Sequence, residues 1–141
     1  KKDFQTLGVK VITNYSSLNY DVALLVMDKP TTQRLGGVVT IDHYTKDPDQ
    51  LSSDIDKLAE SSGGKVVVGE FGAPIPGIHG QMTEEEQSAW IDQTLKKLVE
   101  NKNVIGVNYW TSFGGSTAVW NSDGKPKLAV SILQKYYNLK K

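Results

Sequence analysis

The chain contains no cysteine, which removes disulfide frameworks, zinc ribbons, thiol nucleophiles and iron–sulfur ligation at once. It has only two histidines, His43 and His79, too few for a site built purely from imidazole ligands. Neither sign of charge is in excess: 16 Lys+Arg stand against 16 Asp+Glu. A general nucleic-acid binder needs a basic footprint that is missing here. Long apolar runs are absent too. Val22–Met27 is the longest, far short of the roughly 18–20 residues of a membrane span, so neither nucleic acid nor membrane is an expected partner. The opening Lys1-Lys2-Asp3-Phe4 lacks the n-region and h-region of a signal peptide and reads as a processed, cut or engineered start, which leaves the compartment open, secretion included.

What is present is a globular composition, with 38% hydrophobic and 23% charged residues over 141 positions, enough for one ordinary domain or part of a larger one. Four short runs rich in valine and isoleucine read as strands: Val9–Asn14, Gly37–Tyr44, Lys65–Glu70 and Val104–Trp110. Their near-continuous apolar character predicts burial on both faces, as in a parallel sheet. Helical spacing fills the intervals. Asp49–Ser62 aligns Leu51, Ile55, Leu58 and Ala59. Thr83–Asn101 opens with Thr83 and Glu86 in a capping-box pattern and aligns Trp90, Ile91, Leu95, Leu98 and Val99. Pro126–Asn138 places proline near a first helical position. Asp21 caps a shorter helix over Val22–Asp28, which Lys29-Pro30 stops, leaving Thr31–Gly36 irregular or a last turn. The order β-α-β-α-β-α-β-α implies a parallel α/β sheet with right-handed crossovers. A small open doubly wound sheet and half of an eight-fold barrel both satisfy it.

In parallel α/β folds, functional groups collect where strands end. Those ends read Asn14-Tyr15, Asp42-His43-Tyr44, Glu70-Phe71-Gly72 and Asn108-Tyr109-Trp110, whereas the opposite ends offer Gly8, Gly37, Lys65 and Val104. Glu70 leaves a buried run directly. It is either a carboxylate escaping to water or a fixed nucleophile or base, and the flanking Gly69 and Gly72 favour the second. The loop from Ala73 to Met82, with Pro74, Pro76, Gly77 and Gly80, has the look of a wall or lid. Trp110 either caps the core or offers an indole face to the C–H face of a sugar. Trp120, beside the turn Asn121–Gly124, extends that aromatic surface or simply packs. Adjacent strand residues face opposite ways, so only one of His43 and Tyr44 points inward, and a tyrosine there would orient Glu70 by a hydrogen bond. His79 reads as solvated.

Val67-Val68-Gly69-Glu70-Phe71-Gly72, followed by a helix and then Gly106-Val107-Asn108-Tyr109-Trp110, resembles the last two strands of a retaining glycoside hydrolase with a (β/α)8 TIM barrel, in the cellulase, β-mannanase and β-glycosidase clan. The resemblance covers nearly the whole chain, and its specific part is the pair of motifs at Glu70 and Trp110. It implies that residues 1–141 are the C-terminal half of a TIM-barrel domain, covering strands five to eight. Glu70 would then be the nucleophile, Trp110 would lie under the sugar, Tyr44 would contact Glu70, and Asn14, His43 and Trp120 would line the cleft. It further implies a carbohydrate substrate with β linkages, no metal or organic cofactor, and a missing N-terminal half carrying the acid/base glutamate. Retaining hydrolysis needs two carboxyl groups roughly 5–5.5 Å apart, and no second candidate stands at a strand end here. Two other readings compete. One is a noncatalytic carbohydrate-binding or scaffold domain with the same strands. The other is a flavodoxin-like doubly wound domain, although no G-x-G-x-x-G or Walker sequence appears.

Overall fold

The computed structural model describes residues 2–8 and 17–138. Within them the elements run α1 (Lys2–Thr6), β1 (Leu18–Asn19), α2 (Tyr20–Val26), α3 (Lys29–Arg34), β2 (Val38–Asp42), α4 (Pro48–Ser62), β3 (Lys65–Phe71), α5 (Pro76–His79), α6 (Glu84–Glu100), β4 (Val104–Tyr109) and α7 (Ala129–Tyr137). The four strands form one parallel sheet in sequence order, β1-β2-β3-β4. Each strand is followed by helix, and a parallel neighbour can be reached only through such a crossover. The result is a mixed α/β unit built on a four-stranded parallel sheet.

The helices cover one face. Val39 and Ile41 of β2 and Val66, Val68 and Phe71 of β3 are buried against Leu51, Ile55 and Leu58 of α4 and Ile91, Leu95 and Leu98 of α6. Each such side chain, fully buried, is worth about 1.5–3 kcal/mol. The alternate residues of β2, Val38, Thr40 and Asp42, are only half-buried. Burial on both faces, the expectation from the apolar runs, is not what the described residues show: β2 and the first part of β3 alternate between buried and half-buried positions.

Local chemistry sets the helix ends. Asp47 accepts a hydrogen bond from the Asp49 N–H at 2.7 Å, Pro48 opens α4, and Gly63 closes it with φ of 65°. At α6 the Thr83 side chain accepts from the Glu86 N–H at 3.2 Å, while the Glu86 carboxylate accepts from the Thr83 N–H at 2.8 Å. This is the capping box that the sequence predicts.

Several expected boundaries move. The second helix starts at Tyr20, with Asn19 rather than Asp21 at its cap. Lys29-Pro30 does not end structure but begins α3, because proline suits a first turn and the Asp28 carboxylate accepts from the Thr31 N–H at 2.8 Å. Pro126 lies before α7, pairing in an isolated bridge with Trp120. The expected strand Val9–Asn14 lies outside the described residues. On the side of β2 away from β3, the described partner strand is Leu18–Asn19, further along the chain.

Candidate functional site

Glu70 sits one residue before the end of β3, where the register with β2 shifts and Glu70 comes opposite Asp42. The shift lets Gly69 and Glu70 both turn from the helix-packed face, between buried Val68 and buried Phe71. Tyr44, just beyond β2, donates its hydroxyl to Glu70 Oε2 at 2.9 Å. Burial, followed by the hydrogen bond and negative charge of Glu70 and the charge of Asp42, pushes the Tyr44 hydroxyl well above its ordinary value. Tyr44 is therefore a neutral donor across the working pH range, and Glu70 is its acceptor. Glu70 enters no ion pair among the described residues. A half-buried carboxylate with one donor and no counter-charge keeps lone pairs available for a nucleophile or base.

The surface beside Glu70 is kept low by Gly69. A Cβ there would lie 2.6 Å from Ser17 Oγ and 3.0 Å from Asp42 Oδ1. Ser17 donates a short hydrogen bond to Asp42, and Asn108, on β4, donates to the Gly69 carbonyl at 3.1 Å. Ser17, Asp42, Gly69 and Asn108 thus form a polar floor beside Glu70.

Trp110 follows β4. The cross-strand pair Phe71 and Tyr109 places Glu70 and Trp110 one residue to either side of it, and the Trp110 N–H donates to the Phe71 carbonyl at 2.9 Å. The Trp110 side chain is exposed, at 49%, so it does not cap the core. Gly72 is required here, since a Cβ would collide with the Trp110 carbonyl oxygen. The Ala73–Pro74 and Trp110–Thr111 peptide bonds are cis.

The remaining expected site residues separate. His43 turns towards the helices: its Nε2 lies 2.9 Å from Asp54 Oδ2 of α4, and its ring stacks on Tyr20 at 4.3 Å. Burial alone would raise the Asp54 carboxyl, but hydrogen bonds from Gln50, His43 and Lys57 outweigh it and hold the group below its usual range. The imidazole is thus held against α4 and Tyr20, away from Tyr44 and Glu70. Trp120 is exposed and lines a shallow hollow with Glu84, Pro126 and Leu128, beside the starts of α6 and α7. Asn14 lies outside the described residues. His79 is not simply solvated, as its sequence position implies. Its Nδ1 accepts from the Ile75 N–H at 2.9 Å, its Nε2 donates to the Thr45 carbonyl at 2.9 Å, and it meets the Trp90 ring edge-on.

Sequence reasoning misses Gln87. It lies on the buried stripe of α6 with Trp90, Ile91, Thr94, Leu95 and Leu98. A polar residue breaking an otherwise apolar stripe is the signal that could have found it. Among the described residues no group of three or more His, Cys, Asp or Glu could hold a metal ion, and no helix is long and apolar enough to cross a membrane.

No protein-family model matches the sequence, and no curated protein matches it. Solved structures do. The chain is similar to an uncultured Clostridium sp. beta-glucuronidase (TM-score 0.56, 23% identity), over 73% of this chain and 23% of that one. It is similar to a GH128 subgroup V exo-beta-1,3-glucanase from Cryptococcus neoformans (TM-score 0.59, 15% identity), over 81% of this chain and 47% of that one. A GH128 subgroup VII oligosaccharide-binding protein from Trichoderma gamsii matches with TM-score 0.59 and 18% identity, over 73% of this chain and 43% of that one. The chain therefore spans less than half the length of each, and shares the fold of part of these glycoside hydrolase structures.

Proposed function

We propose that residues 1–141 are the C-terminal half of a TIM-barrel glycoside hydrolase domain, acting on β-linked oligo- or polysaccharide with retention, and that Glu70 is its nucleophile. The observation that carries this reading is the Tyr44–Glu70 hydrogen bond at the carboxyl ends of β2 and β3, with the exposed Trp110 at the end of the next strand. In this reaction Glu70 attacks the anomeric carbon and forms a glycosyl-enzyme, while an acid from the N-terminal half protonates the leaving oxygen. The same group then activates water, which releases the sugar and restores the Glu70 carboxylate. Tyr44 holds the Glu70 carboxylate in its attacking orientation, and Trp110 supplies the hydrophobic floor under the sugar.

The test compares the full-length protein, its Glu70→Gln variant and isolated residues 1–141 on a panel of 4-nitrophenyl β-glycosides. Turnover by the full-length protein, lost in Glu70→Gln and absent from the isolated segment, supports the reading. Turnover by the 141-residue segment that Glu70→Gln abolishes overturns the claim that the acid/base lies elsewhere. Turnover that persists in full-length Glu70→Gln overturns the nucleophile.

A second reading, a noncatalytic carbohydrate binder, is favoured by one finding: the similar Trichoderma gamsii structure is described as an oligosaccharide-binding protein. Binding of a β-glucan oligosaccharide by the full-length protein, without hydrolysis of any glycoside in the panel, selects it.

A further inference from the structure

The buried face of α6 carries two side-chain donors in line with its apolar stripe. Gln87, 2% exposed, donates from Nε2 to the Ala73 carbonyl at 2.8 Å and to the Thr117 carbonyl at 3.1 Å. Trp90, one turn further, donates its indole N–H to the Lys46 carbonyl at 3.0 Å. These three acceptors lie on three different loops. Lys46 is two residues past Tyr44, Ala73 is three residues past Glu70, and Thr117 is in the loop that leaves Trp110. The Tyr109 hydroxyl converges on two of the same carbonyls, Ala73 at 3.0 Å and Thr117 at 2.8 Å. One helix face thus ties down the exits of β2, β3 and β4.

The Gln87 amide has two N–H groups in a buried setting, and its nearest acceptors are the Ala73 and Thr117 carbonyls, with the Ala118 carbonyl and the Tyr109 hydroxyl further off at 3.4 Å. Without those donors, the Ala73 and Thr117 carbonyls are left to share the single proton of the Tyr109 hydroxyl. Buried carbonyls left unpaired favour any displacement that restores a partner, here separation of the β3 and β4 loops. Gly72 against the Trp110 carbonyl shows how little slack lies between these two loops.

We propose that Gln87 is the positioning residue that fixes Glu70 relative to Trp110, by pinning the loops that follow them to α6. The proposal deepens the glycosidase reading and rests on it for its kinetic consequence, though not for its geometric one.

The test uses the full-length protein. Gln87→Met keeps length and apolar bulk while removing both donors. Displacing reacting groups by about 1 Å can cost on the order of 100-fold, so kcat on the best 4-nitrophenyl β-glycoside is expected to fall about 10- to 100-fold, with KM changing less than about threefold. Gln87→Glu adds a signature that a purely structural role would not give. A buried carboxyl donates only when protonated, and burial raises its pKa. Its activity relative to the native protein should therefore rise as pH falls, while the Gln87→Met ratio stays flat. If Gln87→Met does not fold, Tyr109→Phe, which removes a donor from the same carbonyls, replaces it with the same expectation.

A readout independent of activity is the indole N–H NMR resonance of Trp110, assigned by its loss in Trp110→Phe. It should shift or double in Gln87→Met. If no glycoside is turned over, the function of Glu70 falls and this resonance alone decides the positioning role. Unchanged kcat, a pH-independent Gln87→Glu ratio or an unmoved Trp110 resonance overturns the proposal.

Discussion

The Tyr44 hydroxyl and the Glu70 carboxylate lie 26 residues apart in sequence and 2.9 Å apart in space. Parallel pairing of β2 and β3 in near register, with the irregularity at Asp42 and Glu70, brings them together. A hydrogen bond to a charged group is worth about 1.5–3 kcal/mol. Tyr44→Phe in the full-length protein should therefore lower kcat about 10- to 100-fold, by freeing the carboxylate to rotate. Kinetics on an aryl β-glycoside check this, and an unchanged kcat removes Tyr44 from the mechanism.

Gly72 sets a second relation, between the β3 exit and Trp110. Gly72→Ala forces a methyl group against the Trp110 carbonyl oxygen, and overpacking of this kind typically costs about 1–3 kcal/mol. Urea unfolding of the variant should show a lower midpoint with an unchanged slope, accompanied by a loss of turnover. A midpoint equal to that of the native protein would show that the loops yield freely.

His79 makes the molecule sensitive to acid. Burial, reinforced by the positive charge of Lys46, pulls its pKa below the ordinary 6.5, against the Thr45 carbonyl that accepts from Nε2 and acts the other way. As pH falls, the unfolded chain takes up this proton first. The unfolded state then binds more protons, so the contribution is complete above about 6.5 and shrinks below it. The protonated ring also loses the Nδ1 lone pair that receives the Ile75 N–H. Denaturation midpoints at pH 7.5 and pH 5 should differ more in the native protein than in His79→Gln. Equal differences would show that His79 carries no acid sensitivity.

How much of this was legible depended on whether the signal was local. The strands β2, β3 and β4 and the helices α4 and α6 follow from apolar spacing and caps a few residues long, and Thr83 with Glu86 marked the start of α6 to the residue. That only one of His43 and Tyr44 faces Glu70 follows from strand alternation, but which one was set by the contacts of His43 with Asp54 and of Tyr44 with Glu70. Lys29-Pro30 misled because proline both stops and starts helices, and only the Asp28 cap decides which. The partners of His79 come from α5, α6 and the β2 loop, and those of Gln87 from two further loops, so no window of sequence holds either cluster. The alternation of β2 also escaped, because a valine-rich run reads the same whether one face or both are covered.

The most direct measurement of the central claim is covalent labelling. A 2-deoxy-2-fluoro-β-glycoside with a good leaving group, matched to the sugar that the full-length protein prefers, slows breakdown of the glycosyl-enzyme so that it accumulates on the nucleophile. Peptide mass spectrometry should then find one sugar attached to Glu70, with none attached in Glu70→Gln. A label on any other carboxylate, or none from a protein that turns over the parent glycoside, would contradict the assignment.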